Sequence, residues 1–474
     1  MPMSPIDYIL SLSLKYKLGI IVFSLTVIAY GTLFYLGRKW RNEFEEKGIS
    51  YWSIAKEDRI KQLMDGVWEP KKITFLYGLS YFANGFVRST FSLWVPIFLL
   101  DEVGVGTTEA SLFVGLMYVS WSWKMFVGLI ADIFPIKWGD RYYKRKPWFA
   151  ITGFLYLSGI IIMIISDIEN APVWSVLFPA VVSIISAGAF YDMAADSFTI
   201  DVTPPEYHAR VIGGASTAGQ SIGSALATIL PLWLLNIGGY KLVFVLAGVT
   251  GLTSFLFLSV KEPEVVKERS LSKEVIAYTF TELTVVLAVL IMFSRAFTVM
   301  KITAPLGGMF SFTIREIVGA DISLVSILGL VATLAGLPGS WVGGNISDKY
   351  GHKKAFAFSS ILFMLAGFLW TTIAQGAVTW FLIVAMISAF FERFWTGTIF
   401  AIMADSTPLA MSSTVYQMYM SWSWIGNIPS SVLIGYLLGI GLKPTAMVTS
   451  ALMIVPLILG LLIKPFEAGK ASDI

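Results

Sequence analysis

The sequence predicts an all-α integral membrane protein, and three observations carry that prediction. Hydrophobic residues make up 56% of the 474 residues and charged residues only 14%, whereas soluble domains average roughly 25% charged residues. Apolar runs of about 20 residues, the length that crosses a bilayer, recur along the chain. The Lys and Arg residues between these runs collect in every second connection, as an antiparallel series of membrane helices requires.

The first apolar run covers about residues 18–36, and a basic flank of Arg38, Lys39 and Arg41 follows it directly. This flank predicts an extra N-terminal transmembrane helix, residues 1–37, whose C-terminal end lies in the cytoplasm. Residues 38–72 mix charged and apolar positions and predict a cytoplasmic linker with a surface helix.

Twelve further apolar segments form the predicted core. The most charged connector, residues 261–276, predicts a cytoplasmic interbundle linker at 261–281. It separates an N-terminal six-helix bundle, residues 73–260, from a C-terminal six-helix bundle, residues 282–465, and residues 466–474 are predicted to form a cytoplasmic tail. The twelve segments lie at about 73–99, 108–133, 148–166, 172–200, 209–236, 240–260, 282–308, 322–346, 355–374, 378–403, 412–440 and 444–463.

The composition excludes several classes of chemistry. The chain has no cysteine, so that disulfides and thiol chemistry are excluded, and its two histidines argue against a histidine-bearing metal site. It contains no nucleophile elbow, no His-Glu-x-x-His and no phosphate-binding loop. We therefore expect no enzyme activity, no cofactor, no metal and no nucleic-acid partner.

One short pattern occurs twice. Gly128-x-x-x-Asp132 ends an apolar segment before a strongly basic loop, and Gly344-x-x-x-Asp348 does the same in the second half. A glycine on a membrane helix lets another helix approach closely, and an Asp at a helix end can face the positive N-terminus of a neighbouring helix. The residues of this pattern and its basic loops predict a gating latch: Gly128, Asp132, Arg141, Lys144, Arg145, Gly344, Asp348 and Lys353.

This doubled pattern resembles the signature loop of the major facilitator superfamily, although residues 133–139 enlarge the first loop and Lys349 stands where Arg is usual. The resemblance implies the major-facilitator fold, with twelve core helices in two pseudo-symmetric bundles, and a secondary transporter. It also implies that Asp132 faces the helix starting near Ser412, that Asp348 faces the helix starting near His208, and that both contacts break when the cytoplasmic side opens. The alternative is that the basic clusters only set the topology.

A narrower resemblance rests on the first loop and on the end of the fourth core segment. Lys124 precedes Asp132 by two helical turns, and Lys144-Arg145-Lys146 stands before Trp148. These residues, together with the acidic spacing of residues 192–206, resemble the branch that contains folate–biopterin transporters, muropeptide permeases and acetyl-CoA transporters. The branch does not fix the substrate.

Charged residues inside membrane helices are candidates for function, because a charge at the bilayer centre costs about 3 kcal/mol or more. Asp192 and Asp196 lie four residues apart on one helix face, which makes them, with Glu392, the proton-coupling candidates. The alternative is a structural carboxylate pair held by Lys124 or Arg88. Asp201 and Asp405, each before a Thr-Pro, fall at the membrane surface and are predicted to form turns.

Buried cations suggest where a solute binds. Arg88 and Arg295 could clamp a carboxylate or phosphate, because guanidinium groups suit such anions; an interhelical salt bridge is the alternative. Glu392 and Arg393 are adjacent and point about 100° apart on a helix, so we expect one to face the cavity and the other to pair elsewhere.

Aromatic pairs repeat as well. Ser120-Trp-Ser-Trp123 recurs as Ser421-Trp-Ser-Trp424, and within each pair at most one Trp is expected to face the cavity. A Trp platform would suit a sugar or a flat ring; the alternative is packing or contact with lipid. The full set of substrate-binding candidates is Arg88, Trp121, Trp123, Lys124, Gln220, Arg295, Arg393, Trp422, Trp424 and Asn427.

We therefore expect a monomeric multi-pass protein of the plasma membrane that moves a small polar or amphipathic solute by alternating access, with protons as the coupling ion. The alternative is a transporter-like receptor or membrane assembly factor that keeps the fold without transport. The partners expected for the transporter are a small-molecule solute, protons and the lipid bilayer.

Overall fold

The computed structural model describes residues 24, 27–28, 31–32, 34–42, 68–104, 113, 117, 119–204, 207–262, 280–303, 322–374, 376–407 and 412–464. The predicted tail, most of the interbundle linker, and most of the predicted N-terminal and surface helices fall outside these residues. Residues 68–262 are called the N-terminal part below, and residues 280–464 the C-terminal part.

The N-terminal part consists mainly of helices. They are α1 (Pro70–Asp101), α2 (Val119–Ser122), α3 (Lys124–Ile133), α4 (Lys146–Ile165), α5 (Phe178–Val202) and α6 (Ser216–Gly251). Proline stands in the first two positions of α1, α4 and α5, where its missing N–H costs no helical hydrogen bond. π-helical turns at Val173–Leu177 and Ala209–Ala215 precede α5 and α6, and a 3-10 helix at Leu252–Ser259 follows α6.

Helix α6 contains a break at Gly238 and Gly239. Gly239 has a φ of 63°, a left-handed conformation that residues with a side chain rarely adopt. The continuous run of 51 residues from Ala209 to Ser259 would be far longer than the hydrocarbon core of roughly 30 Å. The break divides this run at the position where the sequence separates segments 209–236 and 240–260.

The C-terminal part is helical along most of its described length. Its helices are α7 (Leu283–Arg295), α8 (Met300–Thr303), α9 (Ile322–Tyr350), α10 (His352–Leu369), α11 (Val378–Asp405), α12 (Ser412–Ile440), α13 (Leu442–Ala451) and α14 (Ile454–Leu462). Gly351 alone separates α9 from α10 and has a φ of 92°, so that the chain turns sharply there. This turn puts His352 at the first position of α10, one helical turn after Asp348.

The basic loop after α3 forms a β-hairpin that the sequence analysis did not predict. Strands β1 (Ile136–Trp138) and β2 (Arg141–Tyr143) pair antiparallel, with Trp138 opposite Arg141. The two-residue connection begins at Gly139, whose φ of 64° suits a tight hairpin turn. The aromatic and β-branched residues of both strands favour extended backbone.

Within the described residues, seven helices are long and apolar enough to cross a membrane. Large apolar side chains such as Phe154, Ile165 and Trp341 lie exposed on the outside, whereas Lys124, Asp192, Asp196 and other charged groups are buried. This distribution is the reverse of a soluble protein's and fits a lipid surround.

The two parts meet along a few helices. Helix α12 packs against α3 and α5 of the N-terminal part, and the turn Ala209–Ala215 packs against α9 and α11 of the C-terminal part. Where these elements cross, charged residues from both parts come together.

Candidate functional site

The first interface cluster consists of Asp132, Arg145 and Asp201 from the N-terminal part with Ser412 and Thr414 from α12. Asp132, at the end of α3, is fully buried, and its Oδ2 accepts hydrogen bonds from the backbone nitrogen of Thr414 at 2.8 Å and its hydroxyl at 2.7 Å. Backbone N–H groups in the first turn of a helix carry partial positive charge. The carboxylate therefore caps the N-terminus of α12 from the opposite part of the chain.

Arg145 links the two carboxylates of this cluster. Its Nη2 lies 2.9 Å from Asp132 Oδ1, and its Nε donates to Asp201 Oδ2 at 2.9 Å. Nη2 also donates to the Ser412 hydroxyl at 2.7 Å, and that hydroxyl donates to Asp201 Oδ1 at 2.5 Å. Burial lowers the pKa of Arg145, but the carboxylates of Asp201 and Asp132 together raise this pKa by more than burial lowers it. The guanidinium therefore stays charged.

Glu262 fixes the loop that carries Arg145. Its carboxylate accepts from the backbone nitrogens of Lys144, Arg145 and Lys146 at 2.7, 2.9 and 2.8 Å. Burial raises the pKa of the Glu262 carboxyl, and the three N–H donors oppose that shift. Glu262 lies in the connector between the bundles, where nothing in the sequence pattern pointed to a role.

The second interface cluster consists of His208 and Arg210 from the N-terminal part with Asp348, His352 and Asp405 from the C-terminal part. His208 Nδ1 lies 2.8 Å from Asp405 Oδ1, and Arg210 Nε lies 3.5 Å from Asp348 Oδ2; both contacts join the two parts. Within the C-terminal part, His352 Nδ1 lies 2.5 Å from Asp405 Oδ2 and its Nε2 3.4 Å from Asp348 Oδ1.

The two clusters share one plan. In each cluster, a cationic side chain at the start of a helix lies between two carboxylates. One carboxylate comes from the end of the preceding helix, and the other comes from a helix that ends nearby. Arg145 lies between Asp132 and Asp201, and His352 lies between Asp348 and Asp405. A residue at a helix start from the other part completes each cluster.

Two glycines let the backbones approach at these clusters. A Cβ on Gly128 would lie 2.8 Å from the carbonyl oxygen of Ser413. A Cβ on Gly344 would lie 3.1 Å from the carbonyl oxygen of Ala209, where space is less tight. Gly128 is thus the position at which a side chain would push α3 away from α12.

Three predicted latch residues lie elsewhere. Arg141 is exposed on strand β2, because the hairpin carries it away from the interface. The backbone nitrogen of Lys144 donates to Glu262, which also binds the backbone of Arg145 in the first interface cluster. Lys353 Nζ donates to the carbonyl of Ile463 at 3.1 Å, within its own part, since it is one helical position beyond His352.

Asp201 and Asp405 lie in the interface clusters, where the sequence did not predict them. We expected turn formers at the surface, but each carboxylate binds side chains in an interface cluster. The Asp-x-Thr-Pro repeat was the available signal, and we interpreted it as local turn chemistry. Tertiary packing determines which cations contact the helix ends that carry Asp201 and Asp405.

The central cluster lies between α1, α3, α5 and α12. Lys124 and Asp192 form a buried ion pair there, and Asn84 Nδ2 donates to Asp192 Oδ1 at 3.4 Å. Lys124 is 1% exposed and Asp192 5% exposed, so either charge alone would be costly in this position. The other predicted partner, Arg88, lies over two Trp rings.

Asp196 has a different set of neighbours from Asp192. The hydroxyls of Tyr77 and Tyr81 donate to its Oδ1 at 2.7 and 2.8 Å, and Gln417 Nε2 donates to Oδ2 at 2.9 Å. Gln417 belongs to α12, so this carboxylate also joins the two parts. The sequence analysis missed all three donors; the four-residue spacing of the tyrosines was the one usable signal.

One Trp of each repeated pair reaches the central cluster. The rings of Trp121 and Trp424 lie 5.7 Å apart, and the Arg88 guanidinium lies 5.6 Å from both. Lys124 Nζ lies 4.7 Å from the Trp121 ring. Trp123 instead contacts Phe126, and Trp422 contacts Phe293.

Glu392 and Arg393 pair with each other, contrary to our expectation of separate roles. Arg393 Nε lies 3.1 Å from Glu392 Oε2, and Nη1 donates to Gln220 Oε1 of the N-terminal part at 3.4 Å. The long Arg stem can bend back along the helix, which Cα geometry alone does not show. Thr396 donates to the other Glu392 oxygen at 3.0 Å.

Arg295 differs from the other buried cations in its contacts. Its side chain is 8% exposed, its Nε donates to Met300 Sδ at 3.2 Å, and its guanidinium lies 5.2 Å from the Phe400 ring. Among the described residues it forms no ion pair with a carboxylate. Buried guanidinium groups are normally matched by an anion, so this position suits an anionic ligand.

The remaining candidate, Asn427, lies within α12, and its side chain falls outside the described part of the structure. In that described part, no group of three or more His, Asp or Glu side chains is arranged to hold a metal ion.

An apolar exterior, membrane-crossing helices and charges buried where two parts of the chain meet define a multi-pass membrane protein. The chain belongs to the Major Facilitator Superfamily, whose family model matches residues 77–431. It is accordingly a multi-pass membrane transporter and not an enzyme.

Two relatives are similar in sequence. A protein of Arabidopsis thaliana named as a folate-biopterin transporter is 29% identical over 160 residues, which are 33% of this chain and 30% of the relative. A protein of Rickettsia felis named as the transporter AmpG 4 is 22% identical over 370 residues, which are 74% of this chain and 85% of the relative. The plant relative is therefore matched over less than a third of its length.

Solved structures show the same fold. The fucose:proton symporter FucP of E. coli has a TM-score of 0.61 at 16% identity and covers 82% of this chain and 98% of its own. The proton:xylose symporter XylE has a TM-score of 0.60 at 12% identity and covers 81% of this chain and 94% of its own. A bacterial homologue of ferroportin reaches 0.63 at 13% identity, covering 82% and 98%.

Proposed function

We propose that this chain is a secondary active transporter that moves a small anionic, polar or amphipathic solute by alternating access, coupled to protons. The observation that carries the proposal is the buried guanidinium of Arg295, which forms no direct ion pair with a carboxylate among the described residues, together with a central cluster that already holds the Lys124–Asp192 ion pair.

The architecture in this proposal has twelve core helices in two six-helix bundles, residues 73–260 and 282–465, preceded by an extra N-terminal helix. The doubled plan of the two interface clusters supports two related bundles. Helix 34–42 at the end of the extra segment reaches the C-terminal part, where Arg41 lies 3.5 Å from Glu282.

The interface clusters form the cytoplasmic gate in this scheme. Asp132 and Asp405 each bind groups from the opposite part of the chain. Opening the cytoplasmic side must break both contacts, and closing it must restore them. The basic residues in these connections support a cytoplasmic location.

Asp192 is the proposed coupling carboxylate. When it is ionised it neutralises Lys124, as in this structure. A proton on Asp192 would release the Lys124 ammonium, which an anionic solute could then neutralise. Proton and solute would therefore bind together, because each removes an uncompensated charge created by the other.

The solute site extends from Lys124 over Trp121 and Trp424 toward Arg295. Guanidinium groups suit carboxylates and phosphates, and the paired Trp rings offer flat faces for a ring or a sugar. Folates and pterins combine a flat ring with polar groups, and one relative is named as a folate-biopterin transporter. Muropeptides and sugar phosphates meet the same chemical requirements.

Thermal unfolding should first be measured with folate, biopterin, a muropeptide and a sugar phosphate, since a true ligand stabilises the folded form by mass action. The stabilising solute is then tested for uptake into proteoliposomes. We expect uptake to collapse without a proton gradient and in Asp192→Asn, but not in Asp167→Asn, an exposed surface control. Full gradient-driven uptake by Asp192→Asn would exclude Asp192 as the coupling group.

A further inference from the structure

The second interface cluster differs from the first in the chemistry of its cations. Arg145 carries the charge in the first cluster, where Ser412 completes the contact between the two parts. In the second cluster the corresponding positions are held by His352 and His208. An arginine stays protonated at every physiological pH, whereas a histidine in water loses its proton at about pH 6.5.

The hydrogen bonds of His208 fix its charge. Its Nδ1 lies 2.8 Å from Asp405 Oδ1, and its Nε2 lies 3.0 Å from the carbonyl oxygen of Thr203. Both partners can only accept hydrogen bonds, so both ring nitrogens must carry a proton. A neutral ring would set a nitrogen lone pair against one of these oxygens, in a fully buried position.

His352 is in the same situation. Its Nδ1 lies 2.5 Å from Asp405 Oδ2, and its Nε2 lies 3.4 Å from Asp348 Oδ1. Carboxylate oxygens face both nitrogens, so this ring is satisfied only as an imidazolium. Asp405 thus bonds one imidazolium through each of its two oxygens.

We propose that His208 and His352 form a proton-binding site that joins the two parts of the chain only while both rings are protonated. The charged groups that face these rings include Asp405, on α11, and Asp348, on α9, and Arg210 lies against the other oxygen of Asp348. This site is separate from the proposed coupling group Asp192 and does not require that the chain transports a solute.

The sign of the pH dependence follows from linkage. With the contact formed, the two carboxylates favour the imidazolium forms. Once the parts separate, water enters and the pKa of each ring approaches its ordinary value of about 6.5. The contact is therefore fully stabilised below about pH 6.5 and weakens as pH rises above that value. Each histidine can change the ratio of joined to separated molecules by up to about tenfold per pH unit.

Separation of the parts would consequently release up to two protons on the side where this cluster lies. The arginine of the first cluster stays protonated across the same range, so the strength of that contact does not itself change with pH. The two clusters thus share a geometry but differ in pH response, so that an alkaline cytoplasm favours opening at the second cluster.

The first experiment needs no mutation, because His208 and His352 are the two histidines of the chain. Selective nitrogen-15 labelling of histidine, in the full-length protein in liposomes, reports each ring directly by its nitrogen chemical shifts. At about pH 7.5, where a free histidine is about 90% neutral, we expect both rings to keep imidazolium signals in the joined molecules. Rings that are wholly neutral at that pH would overturn the proposal.

The second experiment follows the two parts, using the cysteine-free chain. Spin labels on Lys137→Cys and Lys354→Cys, both exposed positions, report the distance between the N-terminal and C-terminal parts. Raising the pH from about 6 to about 8 should shift the population to longer distances, with a midpoint above about 6.5. The double variant His208→Gln, His352→Gln should lose that shift.

The controls separate this site from the proposed transport mechanism. The same shift should persist with Asp192→Asn, whose failure in transport would leave the histidine titration intact. A parent protein whose label distances do not change with pH, or a shift of equal size in the double histidine variant, would overturn the proposal. The nitrogen-15 spectra decide the matter even where the double variant does not fold.

Discussion

The Asp132 carboxylate lies 2.8 Å from the backbone nitrogen of Thr414, a residue 282 positions later in the chain. Asp132 is fully buried and also bonds the Thr414 hydroxyl. One side chain from the N-terminal part therefore caps a helix of the C-terminal part.

Replacing Asp132 with alanine should loosen the first interface cluster. It removes the cap of α12 and leaves Arg145 with Asp201 as its remaining carboxylate, at a cost of about 3–5 kcal/mol if the geometry does not relax. A cysteine at the buried Ser413 reports the change, since the natural chain has no cysteine to compete for the label. Its reaction with a water-soluble maleimide should accelerate at least tenfold, since about 1.4 kcal/mol corresponds to a factor of ten. The exposed Asp140→Ala is the matched control, and an unchanged rate in Asp132→Ala would contradict the assignment.

Gly128→Ala should separate α3 from α12. Its new Cβ would lie 2.8 Å from a backbone oxygen of Ser413, which cannot turn aside as a flexible side chain could, so we expect a loss of about 1–3 kcal/mol. Gly31→Ala is the control, because nothing lies within 4 Å of its Cβ position. Thermal unfolding of both variants checks the prediction, and equal midpoints would show that the interface accommodates a methyl group.

Glu262→Gln should destabilise the loop that presents Arg145. A glutamine has one acceptor oxygen in place of two, so it cannot accept from all three backbone nitrogens that Glu262 binds. A loss of about 1–3 kcal/mol is expected for the unsatisfied buried donors. Glu169→Gln, at an exposed position, should leave the unfolding midpoint unchanged. If both variants unfold alike, Glu262 does not order the loop.

Arg295→Gln and Arg393→Gln should behave in opposite ways. Arg393 neutralises the buried Glu392, so its loss should lower stability by about 3 kcal/mol or more. Arg295 lacks such a partner among the described residues, so its replacement should leave the ligand-free midpoint unchanged or raise it. It should also abolish the stabilisation by an anionic solute. A large drop in the midpoint of ligand-free Arg295→Gln would instead indicate a structural ion pair.

Lys124 and Asp192 should show strong coupling in a double-mutant cycle. Lys124→Met leaves Asp192 buried without its cation, and Asp192→Leu leaves the ammonium, each at a cost of about 3–5 kcal/mol. The double variant replaces the pair by apolar groups and should recover most of that loss. Unfolding midpoints of the four proteins give the coupling. Additive losses would mean that the two charges do not depend on each other.

Local sequence rules predict a residue's position where that position depends only on the residue's own helix. The spacing of Gly128 and Asp132, and of Gly344 and Asp348, marks helix ends in a recognisable context. The repeated tryptophans predict at most one cavity-facing ring per pair, and the structure brings Trp121 and Trp424 together.

The same rules failed where a partner comes from a distant segment. Asp201 and Asp405 were interpreted as turn formers because nothing in their neighbourhood shows that Arg145 and His208 fold onto them. The pairing of Glu392 with Arg393 depends on how a long side chain bends, which helical periodicity does not encode. Glu262 is one of several acidic residues in a charged connector, and nothing in the sequence distinguishes it from the others.

The sequence by itself determined the membrane solvent, the helical class and the helix ends that carry Asp132 and Asp348, because hydrophobic length and residue spacing are local properties. Only the tertiary structure decided which charges meet. It set Arg145 between two carboxylates in one cluster and two histidines on Asp405 in the other. The reason is physical: a buried charge needs an opposite charge within a few ångströms, and that distance is set by how the two parts of the chain pack.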